Sequence, residues 1–378
     1  MNNRVVSLVT LLSRRSSTRF YRTSSDNLSS FTPAEAGKLY EIPKDVATQL
    51  QFQKTLPSAL RKQFDTLGEV VLMLRSSFFE VAACMEAVKP SFPTIKTVLW
   101  GAFGTGKSVT LNQVVHYANI NGWVVVHVPS AMDFTRRVSE VEMSTYKAGR
   151  INDPINSVAI LTQFKHQNSN LWKNLSELKT CKNYEWNKNE KTAEGRPLTD
   201  IVEMGLSAPY IATDCVGALL SELKHHASSG TIKVLAAVDD ANSLWGKTLV
   251  KKADRTYANA KELTLVHHFV KFISSDWSNG LVLMVADKKE TSDARDQLTV
   301  PLHTPLELFG EEGFETIEPF VPVETSQYSK EELTNIYKYY FDKKWISSAE
   351  GRSEAGKLQM MHLSGFNPHY FERLAAFN

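Results

Sequence analysis

An eight-residue stretch of this chain combines glycine, lysine and serine at a spacing that can bind phosphate. It runs from Gly101 to Ser108, reads G-A-F-G-T-G-K-S and fits the pattern G-x-x-x-x-G-K-[ST]. Glycines let backbone N–H groups curve around a phosphate, and the start of a helix adds its positive end. Lys107 would then reach the β- and γ-phosphates, and the Ser108 hydroxyl would hold Mg²⁺. The predicted nucleotide-binding residues are Gly101, Phe103, Gly104, Thr105, Gly106, Lys107, Ser108 and Val109.

Two carboxylates follow a second apolar run, Ile232 to Val238, which predicts a buried strand. An apolar strand that ends in an acid is the Walker B pattern, so we predict that Asp239 joins Ser108 around Mg²⁺. Asp240 stands where many related ATPases carry an acid that orients the attacking water, which makes it a candidate catalytic residue. A loop residue or a helix N-cap is an equally good interpretation of Asp240.

A third apolar run, Gly280 to Ala286, ends at Asp287. Ligands of parallel sheets lie outside the carboxyl ends of the strands, so Asp287 is a candidate sensor of the nucleotide. A solvated aspartate in a loop is the interpretation that the sequence alone favours.

These motifs require a parallel sheet to position them. Residues 94–100 predict a strand before the glycine-rich stretch, 109–120 a helix after it, and 123–129 a second strand. The predicted fold class is therefore α/β, a P-loop NTPase with a parallel sheet flanked by helices. Apolar spacing predicts further helix over 57–88 and a helical lid over the last 60 residues.

The chain divides by pattern into four segments. Residues 1–25 predict a mitochondrial transit peptide, because they contain five arginines, many serines and threonines and no acid. A basic arm that stays attached is the alternative. We predict an extended arm over 26–66, a nucleotide-binding core over 67–310 with an insertion around 140–210, and a helical lid over 311–378.

The amino-acid composition excludes few classes of protein. The net charge of +2 gives no bulk argument for nucleic acid, although local basic clusters remain candidates for RNA contact. Such clusters occur at Arg136 and Arg137 and at Lys247, Lys251, Lys252 and Arg255, with a solvated charged surface as the alternative. The three cysteines are scattered, and no apolar run approaches the length of a membrane-spanning helix.

Several segments together carry a resemblance that extends from about Lys38 to Phe377. They are Lys38–Pro43, Gly101–Ser108, Tyr184–Lys188, Ala212–Gly217, Ala237–Gly246, Gly310–Phe314 and Asn367–Arg373. In these the chain resembles the family of GTP-binding proteins of the mitochondrial small ribosomal subunit, also called death-associated protein three. One departure is Asp240, since the family usually has glycine after the Walker B aspartate.

The resemblance implies an AAA+-like P-loop core with a helical carboxy-terminal lid. It also implies a place in the mitochondrial matrix, in the small ribosomal subunit, with ribosomal proteins and rRNA as partners and bridge contacts to the large subunit. It implies GTP or GDP as ligand with Mg²⁺, although the residues themselves leave ATP equally open. We expect a structural ribosomal protein with at most slow GTPase or ATPase activity. The alternatives are an active AAA+-like NTPase, with Asp240 as the acid and Arg373 as a sensor in the lid, and a protein that promotes cell death away from the ribosome.

Overall fold

The computed structural model describes residues 21–187, 190–274, 276–287 and 304–378. Within these ranges the strands are β1 (Leu39–Ile42), β2 (Val70–Met73), β3 (Ile95–Trp100), β4 (Val124–Val128), β5 (Glu142–Met143), β6 (Ile151–Asn152), β7 (Tyr184–Glu185), β8 (Lys191–Thr192), β9 (Val234–Val238), β10 (Gly280–Val285) and β11 (Val321–Glu324). The α-helices are α1 (Lys44–Gln49), α2 (Phe52–Thr55), α3 (Ser58–Leu67), α4 (Ser76–Ala87), α5 (Lys107–Ile120), α6 (Pro154–Gln167), α7 (Trp172–Glu177), α8 (Thr199–Ser207), α9 (Ala212–Ser228), α10 (Thr264–Ile273), α11 (Pro305–Ile317), α12 (Lys330–Asp342), α13 (Glu354–Ser364) and α14 (Pro368–Phe377).

The central element is a parallel sheet with the strand order β11-β3-β10-β9-β4. β10 lies between β3 and β9, so that Met284 is the register partner of both Val98 and Val238. Its strands are continuous apolar runs, as expected where helices cover both faces of a parallel sheet. The predicted fold class, α/β with a parallel sheet flanked by helices, is confirmed.

Alternate residues of each strand enter two separate cores. On one face Val98 and Met284 pack against α6, α8, α9 and α10, whereas on the other Leu99 and Leu283 pack against α4 and α5. Two helices of the first face, α6 and α8, lie in the region where the insertion around 140–210 was predicted. That region also carries two short antiparallel pairs, β5 with β6 and β7 with β8.

The segment before the sheet is folded rather than extended. The prediction of an extended arm over 26–66 differs from the structure, which has β1 and the helices α1 to α3 there. Pro43 and Pro57 stand directly before α1 and α3, where a proline is compatible with the first turn of a helix. These two prolines therefore mark where helices begin.

The continuous helix predicted over 57–88 is wrong in its middle. Gly68, with φ of 71°, ends α3 in the left-handed conformation, and β2 then pairs antiparallel with β1. The short apolar run from Val70 to Met73 fits a strand and a helix equally well by spacing alone, and tertiary pairing with β1 decides it.

The carboxy-terminal helices form a third core with the amino-terminal strands. α12, α13 and α14 pack against β1 and β2 through buried side chains such as Tyr339 and Phe371. The predicted start of the lid at residue 311 falls inside α11, and the later strand β11 belongs to the central sheet. A structural boundary of the lid therefore lies after Glu324.

The first described residues are anchored in this third core. The Tyr21 hydroxyl donates to the Asp342 carboxylate at 2.7 Å, and Arg22 forms ion pairs with Glu41 and Glu69. The predicted transit peptide lies largely outside the described residues, but its predicted end at residue 25 falls inside the folded unit. Among the helices of the described ranges, none is long and apolar enough to cross a membrane.

A buried histidine in the sheet gives the fold a defined response to acid. Burial lowers the pKa of His127 in β4 to about 3, because the charged imidazolium loses its hydration. As pH falls below 6.5, the unfolded chain, with a histidine pKa near 6.5, binds a proton that the folded chain does not. The contribution of neutral, buried His127 to the free energy of unfolding is therefore complete above pH 6.5 and is lost as pH falls. We expect the free energy of unfolding to fall by about 2 kcal/mol from this residue between pH 6.5 and 4.5.

Urea denaturation at several pH values measures this effect. His127→Gln should be less stable at neutral pH but should show a shallower decline of stability with acid. Equal slopes for the variant and the parent chain would contradict the role of His127.

Candidate nucleotide site

The glycine-rich loop connects β3 to α5 and has the backbone shape of a phosphate cradle. Gly101, Gly104 and Gly106 have φ values of 133°, 80° and 102°, which side-chain-bearing residues rarely adopt. α5 begins at Lys107, directly after the loop, and a helix begins with N–H groups that lack intrahelical acceptors. The cradle and the helix start therefore face the same point, as the sequence predicts.

Arg75, which no sequence pattern indicates as functional, contacts the glycine-rich loop through the carbonyl oxygen of Thr105. Its guanidinium donates to the carbonyl oxygens of Thr105, Ser326 and Gln327 at 2.8–3.0 Å and forms an ion pair with Glu332 at 3.0 Å. It thereby joins the start of α4 to the loop and to the start of the lid. No local pattern marks Arg75, because its partners lie about 30 to 257 residues away.

The lid contacts the loop directly. Asn367 donates its side-chain amide to the Phe103 carbonyl oxygen at 2.8 Å, and the His369 amide donates to the Gly104 carbonyl oxygen at 3.2 Å. A Cβ atom at Gly104 would lie 2.6 Å from Asn367 Oδ1 and 2.7 Å from His369 Cβ. Glycine at this position is thus required both by φ and by the close approach of α14.

Lys107 and Asp287 meet beneath the loop. Lys107 is 4% exposed, and its ammonium donates to the carbonyl oxygens of Gly101 and Ala102 at 3.0 and 2.9 Å. Its Nζ atom lies 3.5 Å from Asp287 Oδ2. The solvated position favoured for Asp287 from sequence is wrong, since this side chain is buried at the end of β10, beside the predicted phosphate site.

The Walker B carboxylates lie at the same edge of the sheet. Asp239 and Asp240 follow β9, which is separated from β3 by β10, so the two strands are roughly 10 Å apart. Asp240 adopts the left-handed conformation at φ of 51°, and its carboxylate accepts a hydrogen bond from Ser130 Oγ at 2.7 Å. Both residues precede a short 3₁₀ helix, Ala241–Trp245, so the N-cap interpretation of Asp240 describes its position.

A cavity of about 390 Å³ opens beside the loop. Its walls include the loop from Phe103 to Ser108 together with Val109, Asp287 and lid residues such as Arg373. Asp239 and Asp240 are not in this wall, so the cavity meets the predicted phosphate site but not the Walker B carboxylates. Its size is in the range of small-molecule sites.

Comparison with known proteins decides the family. The model of the family described as mitochondrial ribosomal death-associated protein 3 matches residues 72–374. The chain belongs to this family. It is 34% identical over 356 residues to the small ribosomal subunit protein mS29 of Mus musculus, which covers 94% of this chain and 89% of that protein.

Two further relatives are similar to this chain over different lengths. The protein named small ribosomal subunit protein mS29 in Bos taurus is 33% identical over 327 residues, or 86% of this chain and 80% of that protein. A protein of the same name from Neurospora crassa is 28% identical over 104 residues, or 28% of this chain. The resemblance noted from sequence motifs is therefore confirmed at the level of the family.

Proposed function

We propose that this chain is a structural protein of the mitochondrial small ribosomal subunit that holds a purine nucleotide and Mg²⁺ in its glycine-rich loop. The family description and the names of its relatives support the ribosomal role and imply the mitochondrial matrix as its compartment. Small-subunit proteins and rRNA are then its partners. Bridge contacts to the large subunit are part of the same proposal.

The observation that carries nucleotide binding is the cradle between β3 and α5. Three positive-φ glycines, a helix start and the buried Lys107 surround one point, which fits an anionic phosphate. In this proposal Lys107 leaves the loop carbonyls for the β- and γ-phosphates, and the backbone N–H groups of the loop donate to phosphate oxygens. Ser108 and Asp239 would hold Mg²⁺, which would neutralise phosphate charge.

Among the described residues of the cavity wall, the geometry leaves Arg373 of the lid as the candidate arginine for hydrolysis, because Arg75 is already engaged. A P-loop protein needs an arginine beside the phosphates for fast hydrolysis. Arg75 and Arg373 are the arginines among the described residues of the cavity wall, and Arg75 is fully engaged by three carbonyl oxygens and Glu332. Asp240 is hydrogen-bonded to Ser130 and lies outside that wall. The nucleotide in this proposal is a resident ligand that stabilises the fold by mass action.

Sedimentation tests the ribosomal role. Mitochondrial lysate is separated on a sucrose gradient, and the fractions are blotted for this chain and for a marker of the small subunit. We expect the chain to migrate with the small subunit. A chain that stays at the top of the gradient would refute this role and favour a free NTPase or a signalling protein.

A further inference from the structure

A second concave surface lies partly on the insertion, away from the glycine-rich loop. It is a groove of about 860 Å³ between the β5–β6 pair, the β7–β8 pair, α9 and α10. We propose that this basic groove binds single-stranded RNA. The inference rests on the proposed ribosomal role and extends it by naming the surface and its ligand.

Cations from distant parts of the chain converge on the basic groove. Its wall includes Lys147, Arg150, Lys182, Lys224 and Lys271. Lys224 forms an ion pair with Asp276, whereas the other four form no ion pair with a carboxylate among the residues that the structure describes. The wall also includes Glu185, Asp214 and Asp276, so its five cations exceed its three carboxyl groups by two and leave a net positive surface for phosphate.

The histidines of α10 respond to this positive charge. Burial first, and then Arg150, Lys271 and Lys147, lower the pKa of His267. Burial first, and then His267, Arg150 and Lys271, lower the pKa of His268 to about 4. Arg150 donates a hydrogen bond to His267 Nε2 at 3.0 Å, so this nitrogen accepts. Asp214 of α9, one of the carboxyl groups in the wall of the groove, has a pKa that burial raises.

Aromatic rings lie beside the cations. Tyr184 and Trp186 are two residues apart and lie on one side of their strand, with ring centroids 5.3 Å apart and planes inclined by only 4°. Tyr146, on the opposite hairpin, is 84% exposed. Flat rings next to basic side chains are the combination on which the bases of single strands stack while the backbone is held by charge.

The ring pair is fixed by a buried carboxylate. Glu222 of α9 is 2% exposed and accepts the Tyr184 hydroxyl at 2.6 Å and the Cys181 amide at 3.0 Å. These bonds attach the β7 hairpin to α9, so the rings keep their orientation without a ligand. A preorganised platform loses less side-chain entropy on binding than a mobile one.

RNA fits the basic groove better than an acidic protein segment does. An acidic peptide would use the cations but would gain little from the exposed Tyr146 ring and the half-buried rings of Tyr184 and Trp186, whereas nucleotides use both. The basic clusters identified from sequence are less suited, because Arg137 pairs with Asp133 and Lys252 pairs with Glu262. Both pairs reduce the charge available to phosphate.

Fluorescence anisotropy of the purified full chain with a labelled twelve-nucleotide oligouridylate tests the inference. The triple variant Lys147→Glu, Lys182→Glu, Lys271→Glu should raise the apparent Kd about tenfold or more and should flatten its dependence on salt. Tyr146→Ala should raise the Kd about fivefold or more, and Tyr146→Phe should restore it because the ring is retained.

A charge-matched triple variant of exposed lysines elsewhere, Lys54→Glu, Lys62→Glu, Lys338→Glu, is the control, and circular dichroism verifies that each variant is folded. Equal weakening by both triple variants, or no RNA binding by the parent chain, would overturn the inference. Preferential binding of an oligoglutamate peptide with no effect of Tyr146→Ala would overturn it in favour of an acidic protein partner. Sedimentation of the parent chain with the small subunit is measured separately, so RNA binding by the basic groove can be refuted while the ribosomal role is retained.

Discussion

Lys107→Ala is expected to lower the affinity of this chain for a purine nucleoside triphosphate by about 100-fold or more. The substitution removes the ammonium that would contact two phosphate groups, and each charge-assisted hydrogen bond contributes roughly 1.5–3 kcal/mol. Thermal unfolding with increasing GTP or ATP and Mg²⁺ measures the effect. The parent chain should gain several degrees at saturation, and the variant should gain none at the same concentrations.

The readout must be the shift caused by nucleotide rather than the melting temperature itself. Lys107 also lies 3.5 Å from the buried Asp287, so its removal is expected to destabilise the unliganded chain as well. Lys338→Ala, at an exposed site in the lid, is the matched control and should keep the full shift. An unchanged shift in Lys107→Ala would show that the loop does not bind phosphate in the predicted way.

Arg75→Ala is expected to destabilise the fold by about 3–5 kcal/mol, since it leaves a partly buried carboxylate without its counter-charge. Glu332 is only 13% exposed in its side chain, and the carbonyl oxygens of Thr105, Ser326 and Gln327 lose a donor at the same time. Urea denaturation measures the loss. Because one of these carbonyls belongs to the glycine-rich loop, the stabilisation by nucleotide should weaken in parallel.

Arg75→Lys separates charge from geometry. Lysine keeps the positive charge but cannot place donors on Glu332 and three carbonyl oxygens at once, so its stability should fall between those of the parent and the alanine variant. Arg61→Ala, a partly exposed arginine of α3 that donates to the Gln53 carbonyl oxygen, is the control and should cost about 1 kcal/mol or less. A loss of stability in Arg75→Ala as small as that in Arg61→Ala would contradict the role assigned to Arg75.

The sequence predicts the sheet and the loop because their signals are local. Lys107 and the apolar runs that became β3, β4, β9 and β10 can each be recognised within a short window, since a buried parallel strand is apolar on both faces. The positions of Asp239 and Asp240 at the strand ends follow from the same rule. The nucleotide and metal roles of these residues stay predictions.

The remaining parts of the fold and of the candidate site could not be predicted from sequence, because they depend on contacts between distant segments. β2 resembles part of a helix until β1 pairs with it, and β11 joins the sheet from a segment that appeared to belong to the lid. Arg75 and the basic groove have no local signature, since the cations of the groove are up to 124 residues apart, from Lys147 to Lys271. The basic clusters that are visible in sequence proved to be partly paired within the chain.

The place of β11 in the sheet has a consequence for the order in which this chain can mature. β3 carries the glycine-rich loop, and one of its two neighbours is β11, from residues 321–324 near the end of the chain. During synthesis or passage through a membrane, β3 therefore keeps one open edge until almost the whole polypeptide has emerged. Thr325, Asn367 and His369 reach the loop later still. Under the proposed function, a nucleotide pocket that needs Thr325, Asn367 and His369 would form only in chains that include these segments.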